Sequence, residues 1–108
     1  MYVEMVMIAV RPEDAELFLA RRDAAMAAIR ERFPDLSTAT LLRLDERRWV
    51  DWVEWVSAEQ AHAAAEAAPG IEAVSEWFRV IEAVESMQHG QVFHRFGPAS
   101  AAAVGADG

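Results

Sequence analysis

Three side chains of this 108-residue chain have types suited to acid–base chemistry and apolar neighbours. His62 carries the side chain whose ordinary pKa is nearest to neutral, which makes it the first candidate for a general base. Asp51 lies within the apolar run WVDWVEWV and is the alternative base if burial raises its pKa. Arg22 interrupts the apolar stripe of a long predicted helix. It either anchors an anionic ligand, or pairs with a carboxylate or extends to the surface.

Each candidate also has a plain structural interpretation. His62 lies in an alanine-rich segment, where a single histidine commonly faces solvent. Trp55 ends the tryptophan-rich run, and a ring of that size commonly belongs to the core, although it could also form one wall of a ligand site. His89 and His94 could bind a metal together with Glu85, but their spacing matches no ligand motif, so we expect no metal site.

Composition excludes several classes of protein. The chain has no Cys and no Lys, which removes thiolate nucleophiles, disulfides and lysine Schiff bases. Its net charge of −8 argues against nucleic acid and against anionic membrane surfaces as partners. No apolar run approaches the roughly 20 residues that cross a bilayer. The N-terminal segment also lacks the positive start of a signal peptide, so we expect a cytoplasmic protein.

Hydrophobic periodicity predicts the order strand, helix, strand, strand, helix, strand. The strands are predicted over 3–10, 37–44, 48–56 and 79–87, the last resuming at 91–96 after a turn at His89-Gly90. The helices are predicted from Pro12 to about Phe33, from Ser57 to Ala68, and over 71–77. Ser57 and Gln60 match the capping box that begins a helix. We expect one domain over 1–96 and a disordered tail over 97–108.

Two periodic patterns predict which side chains face the core. A spacing of 3.6 residues places one stripe of the long helix toward the sheet: Ala15, Leu19, Met26, Ile29 and Phe33. A period of two places one row of the tryptophan-rich strand on a single face: Trp49, Asp51, Val53 and Trp55.

This element order is that of the ferredoxin-like βαββαβ fold, an α+β architecture with the helices on one face of an antiparallel sheet. The predicted strands are apolar on both faces, so the face without helices also needs to be covered. Two copies that stack their sheets would cover it, and symmetric dimers are the commonest oligomers. We therefore expect a homodimer.

Several residues give the chain a resemblance to a known family. Trp55 closes the predicted third strand and is followed by Ser57 and Glu59 at the start of a helix, which resembles the antibiotic biosynthesis monooxygenase (ABM) domain. The turns at Val10-Arg11-Pro12 and Phe33-Pro34 are similar as well. The resemblance covers about 3–93, and it implies the dimeric α+β barrel fold.

The resemblance also implies an activity. ABM proteins include oxygenases that oxidise polycyclic phenols without metal or flavin, which implies no cofactor here and an aromatic small molecule as ligand. His62 or Asp51 would remove the phenol's proton, Arg22 or Arg43 would stabilise the phenolate, and Trp55 would form a stacking wall. The alternatives are a non-catalytic binding barrel and a cyclase-like or isomerase-like accessory protein.

The match to the family's site is partial. Asp51 stands where the polyketide oxygenases have Asn, and Leu41-Leu42-Arg43 stands where they have a strand-two His. The Asn-Trp-His set of the haem-degrading members is not met, so haem degradation is not expected.

Overall fold

The structure, a computed structural model, describes residues 1–98. Its elements are β1 (Tyr2–Ala9), α1 (Ala15–Arg32), β2 (Leu36–Arg43), β3 (Arg48–Trp55), α2 (Ala58–Ala67), α3 (Glu72–Phe78) and β4 (Ala83–Gln91), with short 3₁₀ turns at Pro12–Asp14 and Ala68–Gly70. The strands form one antiparallel sheet in the order β2-β3-β1-β4. The predicted ferredoxin-like α+β fold is confirmed. Within the described residues no helix is both long and apolar enough to cross a membrane.

The two faces of the sheet differ along β3 as the period of two predicts. Trp49, Asp51, Val53 and Trp55 are all buried beneath the helices. In β1, the register pairs Val6 with Asp51, so Glu4, Val6 and Ile8 point to the same helix-covered side. That side therefore carries the core and two buried carboxylates.

The predicted core stripe of α1 is wrong in its first turns. Leu19 is 44% exposed, whereas its neighbour Phe18 is fully buried. The residues buried on α1 are Phe18, Arg22, Ala25 and Ile29. They keep the helical spacing, but the first large apolar residue of the stripe is Phe18 and not Leu19. Phe18 packs between the rings of Trp49 and Trp77, with centroid distances of 5.4 and 5.7 Å. That aromatic contact favours Phe18 over Leu19 on the inner face.

The start of α2 is held by side chains, as the capping pattern predicts. The Ser57 hydroxyl accepts a hydrogen bond from the Gln60 backbone N–H at 3.2 Å. The Gln60 side chain does not return to Ser57. Its carbonyl oxygen instead accepts from the backbone N–H of Asp35, and Ser57 Oγ donates to the Asp35 carboxylate. The cap thus ties α2 to the turn that precedes β2.

The last strand differs from its prediction. It begins at Ala83, not Arg79, and passes through His89-Gly90 without a turn to end at Gln91. β4 pairs with β1 from Ala83 to Gln91 with one register shift between Met7 and Ile8, and this register places Glu4 opposite His89. The predicted resumption at 91–96 is wrong beyond Gln91, since residues 92–96 are not in a strand. The segment predicted to be disordered, 97–108, lies outside the described residues from 99 onward.

The face of the sheet away from the helices carries apolar side chains that stay partly or largely exposed: Met5, Met7, Leu42, Val50 and Trp52. After β4 the chain crosses one end of this face, where Arg95 donates to the Glu54 carboxylate at 2.6 Å. The remainder of the face is uncovered in the single chain.

The phase of α1 can be tested with two adjacent substitutions. Phe18→Ala should lower the free energy of unfolding by about 3–5 kcal/mol, because it opens a cavity between two indole rings. Leu19→Ala is the matched control and should change it by about 0.5 kcal/mol or less, as is usual for a surface site. Urea unfolding followed by tryptophan fluorescence measures both. Equal losses would contradict the observed phase.

Candidate functional site

A cavity of about 200 Å³ lies between the helix-covered face of the sheet and the helices. All four strands and all three helices that the structure describes contribute to its walls. Most of the lining side chains are apolar, among them Val6, Ile8, Met26, Trp77 and Met87. Glu4 and Asp51 are the acidic members of the lining, and Trp55 lines the cavity one row beyond Glu4, opposite Tyr2. An apolar cleft with a few placed polar groups is the usual form of a small-molecule site.

Asp51 is held in a buried ion pair. Arg22 Nη2 of α1 donates to Asp51 Oδ1 at 2.7 Å, and the two residues are 8% and 3% exposed. Arg22 thus follows one of the two alternatives left open by the sequence, pairing with a carboxylate. Its charge is directed at Asp51 instead of at the cavity.

Two opposing effects act on the pKa of Asp51. Burial raises it, because a charged carboxylate is poorly solvated inside the protein, and the hydrogen bond and charge of Arg22 lower it. Burial is the larger effect, so the pKa of Asp51 lies above the ordinary carboxyl value. The folded chain therefore holds the Asp51 proton more tightly than the unfolded chain does.

Trp55 is both core and cavity wall. Its ring is 2% exposed, and its indole Nε1–H donates to Glu4 Oε1 at 2.9 Å. Glu4 itself is 8% exposed and lines the cavity, although it lies in a strand that is otherwise apolar. The bond joins β3 to β1 and orients the Glu4 carboxylate.

His62 and His89 form an aromatic cluster with Tyr2 beside Glu4. Tyr2 Oη shares a 3.0 Å hydrogen bond with His62 Nε2. The ring of Tyr2 stacks on His89 with a centroid distance of 5.6 Å, and His89 Nε2 lies 3.5 Å from Glu4 Oε2. His62 is exposed on α2 and does not line the cavity. It reaches Glu4 only through Tyr2 and His89.

Arg43 lies away from the cavity. Its guanidinium stacks over the Trp49 ring at 4.7 Å and donates to the backbone carbonyl oxygens of Asp45 and Glu46. These contacts brace the hairpin between β2 and β3.

The structure therefore brings together some predicted site residues and separates others. Asp51 and Trp55 share the cavity wall, Arg22 stands behind Asp51, and His62 and Arg43 lie outside. Sequence reasoning missed Glu4 and His89 as site residues. One signal was present for Glu4, which is the single acid in an apolar strand. His89 offered none, because its place depends on the register of β4 against β1. Among the described residues, no group of three His, Asp or Glu side chains is placed to hold a metal ion.

Comparison with known proteins gives a fold but no sequence family. No protein-family model matches the chain, and no curated protein does. Solved structures do match. One is a putative antibiotic biosynthesis monooxygenase from Bordetella bronchiseptica, with a TM-score of 0.71 and 19% identity, covering 86% of this chain and 97% of that one. Another, from Nitrosomonas europaea and described in the same way, has a TM-score of 0.63 and 19% identity over 86% and 100% of the two chains.

A third similar structure is a variant of MhuD with two manganese protoporphyrin IX molecules bound per active site. It has a TM-score of 0.64 and 26% identity, covering 91% of this chain and all of that one. These likenesses confirm the resemblance seen in the sequence. The chain has the fold of the ABM domain.

The buried ion pair gives a stability prediction. Asp51→Ala should lower the free energy of unfolding by about 3–5 kcal/mol, because the buried Arg22 guanidinium then loses its hydrogen-bond acceptor together with its counter-ion. Adding Arg22→Met should restore much of this loss, since the double variant no longer buries a charge. Chemical denaturation of wild type, both single variants and the double variant measures the coupling. Additive losses would contradict a direct pair.

The pH dependence of the same variants checks the direction of the pKa. The folded pKa of Asp51 is above the unfolded value of about 4, so stabilisation from its proton is present below that value. It is lost as the pH rises through the folded pKa. As the pH rises through this range, the free energy of unfolding of wild type should fall relative to that of the double variant. A relative increase would mean that Arg22 lowers the Asp51 pKa by more than burial raises it.

Proposed function

We propose that this protein is an ABM-like monooxygenase that oxidises an aromatic small molecule bearing a phenolic hydroxyl, with O₂ as the oxidant and without metal or flavin. The observation that carries this proposal is the apolar cavity with the Glu4 and Asp51 carboxylates in its wall. The fold shared with structures described as antibiotic biosynthesis monooxygenases supports the general class.

The shape and chemistry of the wall favour a flat, neutral ligand. Trp55 and Trp77 contribute indole rings, against which an aromatic ring packs well. The cavity wall includes carboxylates but no arginine, and Arg22 is committed to Asp51. A ligand that arrived as a carboxylate or phosphate would meet charges of its own sign at low dielectric. A hydroxyl, in contrast, can donate a hydrogen bond to a carboxylate.

The reaction requires only the ligand, O₂ and a proton acceptor. A wall carboxylate accepts the hydroxyl proton, and the electron pair of the O–H bond remains on the ligand as a phenolate. This electron-rich anion gives electrons to O₂, and a C–O bond forms at a ring carbon that bears hydrogen. The resulting peroxide anion takes up one proton, equal to the one removed from the hydroxyl, and becomes a hydroperoxide. Loss of that hydrogen as a proton breaks the O–O bond and releases water. One phenol and one O₂ thus give one quinone and one water, with four electrons passed to oxygen.

Buried N–H groups could stabilise the developing anion. Trp77 lines the cavity, and its indole Nε1 is buried without a hydrogen-bond partner within residues 1–98. A buried donor without a partner costs about 1–3 kcal/mol, and a ligand oxygen that accepted from it would recover that cost.

The uncovered face of the sheet supports a homodimer as the working form. Met5, Met7, Val50 and Trp52 present an apolar surface, and such surfaces commonly mark interfaces. A partner identical to this chain also carries a net charge of −8, so the contact must avoid unpaired acids. Glu54, an acid on this face, is paired with Arg95 at 2.6 Å, and Arg48 on the same face is paired with Glu85 at 3.1 Å. A second copy therefore meets paired charges at these positions.

Oxygen uptake tests the activity. Purified protein treated with chelator should consume O₂ in the presence of a reduced polycyclic phenol such as 1,8-dihydroxyanthrone, with one O₂ used per quinone formed. An oxygen electrode and the absorbance of the quinone measure the two quantities. Trp77→Phe is the matched variant: it keeps the aromatic wall but removes the N–H, and it should slow turnover more than it weakens binding.

The other outcomes separate the alternatives. Saturable quenching of tryptophan fluorescence without O₂ uptake would indicate a binding or cyclase-like barrel. Uptake that disappears with chelator, or that requires added hemin, would overturn the cofactor-free reaction.

The dimer has its own test. Trp52→Glu should shift the protein to the monomer mass in sedimentation velocity, because it places a charge at the centre of the apolar face. Leu17→Glu adds the same charge at a 43% exposed site on α1 and should leave the mass unchanged. A wild-type monomer at micromolar concentration would refute the dimer.

A further inference from the structure

Glu4 is a wall carboxylate with unused hydrogen-bonding capacity. Its Oε1 accepts from Trp55 Nε1 at 2.9 Å, whereas its Oε2 has, within residues 1–98, His89 Nε2 as its one recorded neighbour, at 3.5 Å. An ionised carboxylate has about four lone-pair sites, so Oε2 can still accept a hydrogen bond from a ligand. Glu4 is also 8% exposed and lines the cavity, which places this oxygen where a ligand would bind.

Asp51 shares the wall but has no route for a proton to solvent. It is 3% exposed, and within residues 1–98 its carboxylate is contacted by Arg22, whose Nη2 donates to Oδ1 at 2.7 Å. A guanidinium stays protonated and cannot carry a proton away. Glu4, in contrast, has His89 Nε2 at 3.5 Å from its Oε2. Of the two wall carboxylates, Glu4 is therefore the one that can pass a ligand's proton onward.

His89 contacts both Glu4 and the solvent. The register of β4 against β1 places it opposite Glu4, and its side chain is 35% exposed. Stacking on Tyr2, whose hydroxyl is bonded to His62, holds the ring in position. A histidine in this place has a ring nitrogen within reach of the carboxylate and a side chain that also meets water.

From these contacts we propose that Glu4 accepts the hydroxyl proton of the bound ligand and that His89 passes this proton to solvent. The assignment rests on the proposed function, to which it adds the identity of the base. The ligand O–H bond breaks, its electron pair stays on the phenolate oxygen, and the proton bonds to Glu4 Oε2. It then moves to the unprotonated Nε2 of His89 and from there to water. No electrons are transferred in these steps.

Anaerobic binding of 1,8-dihydroxyanthrone isolates the proton transfer from the oxidation. Its anion absorbs at longer wavelength than its neutral form, so absorbance reports the ionisation of the bound molecule. Wild type should raise the anion fraction near neutral pH above that of the free compound. Glu4→Gln should abolish this increase, while quenching of tryptophan fluorescence still reports binding. In air, the same variant should lower turnover by at least about 10²-fold.

An exposed carboxylate outside the cavity provides the control. Glu31 is exposed on α1 and does not line the cavity, so Glu31→Gln removes the same charge away from the site. It should retain the anion band and the turnover. If Glu4→Gln fails to fold, Glu4→Asp replaces it, since it withdraws the carboxylate by one methylene and should reduce the anion fraction.

The histidines are tested in parallel. His89→Gln should keep the anion band but lower kcat by about tenfold or more with KM little changed, because it slows only the return of the proton to solvent. His94→Gln is the exposed control and should have no effect. His62→Ala should keep the band, and its loss in that variant would return His62 to the role of base and overturn the assignment of Glu4.

Failure of this inference differs from failure of the proposed function. O₂ uptake that is equal in wild type and Glu4→Gln would overturn the role of Glu4 and leave the oxygenase in place. An anion band that depends on Glu4 without any O₂ uptake would support Glu4 as the base and refute the oxygenase.

Discussion

The buried pair of Arg22 and Asp51 is the contact on which the arrangement of helix and sheet depends. An arginine with 8% exposure in the middle of α1 is tolerable only if a carboxylate meets it, and Asp51 on β3 does so at 2.7 Å. The pair therefore restricts how α1 can rotate against the sheet. With Arg22 directed at Asp51, Phe18 and Ile29 follow onto the same face. The pair joins two core elements more specifically than apolar packing alone would.

The polarity of the helix-covered face of the sheet changes along the direction of the strands. Near Ile8 and Trp49 the face is filled by aromatic packing against Phe18. The next row holds the charged pair of Asp51 with Arg22, and beyond it Glu4 meets Trp55 and His89. Along this face, a closely packed core is thus followed by an ion pair, and then by a carboxylate that can accept a further hydrogen bond. A cavity bordered by that last group is better suited to acid–base chemistry than to tight packing.

Under the proposed function, the same features would let this chain oxidise a phenol without the Asn and the strand-two His that its resemblance to the polyketide oxygenases leads one to expect. Fold alone does not carry an activity, and the likeness to solved ABM structures defines only the fold. Where the resemblance leads one to expect Asn and a strand-two His, this chain has Asp51, which is paired with Arg22, and Leu41-Leu42-Arg43. Under the proposed function, the acid–base role passes to Glu4 on β1 and His89 on β4, toward the edge of the sheet opposite to the β2 edge that carries Arg43. The chemistry would be retained while the residues that perform it change.

The sequence by itself determined the order of elements, the faces of β3, the cap at Ser57 and the presence of a charge in the core stripe of α1. These depend on local periodicity and on backbone preferences, which neighbouring residues set. It did not determine the phase at the start of α1, because Phe18 and Leu19 are equally apolar and only the contact with Trp49 and Trp77 distinguishes them. The meeting of Glu4 with His89, and of Arg22 with Asp51, was decided by tertiary structure. Strand register and helix rotation place side chains from distant parts of the chain together, and local pattern carries no information about either.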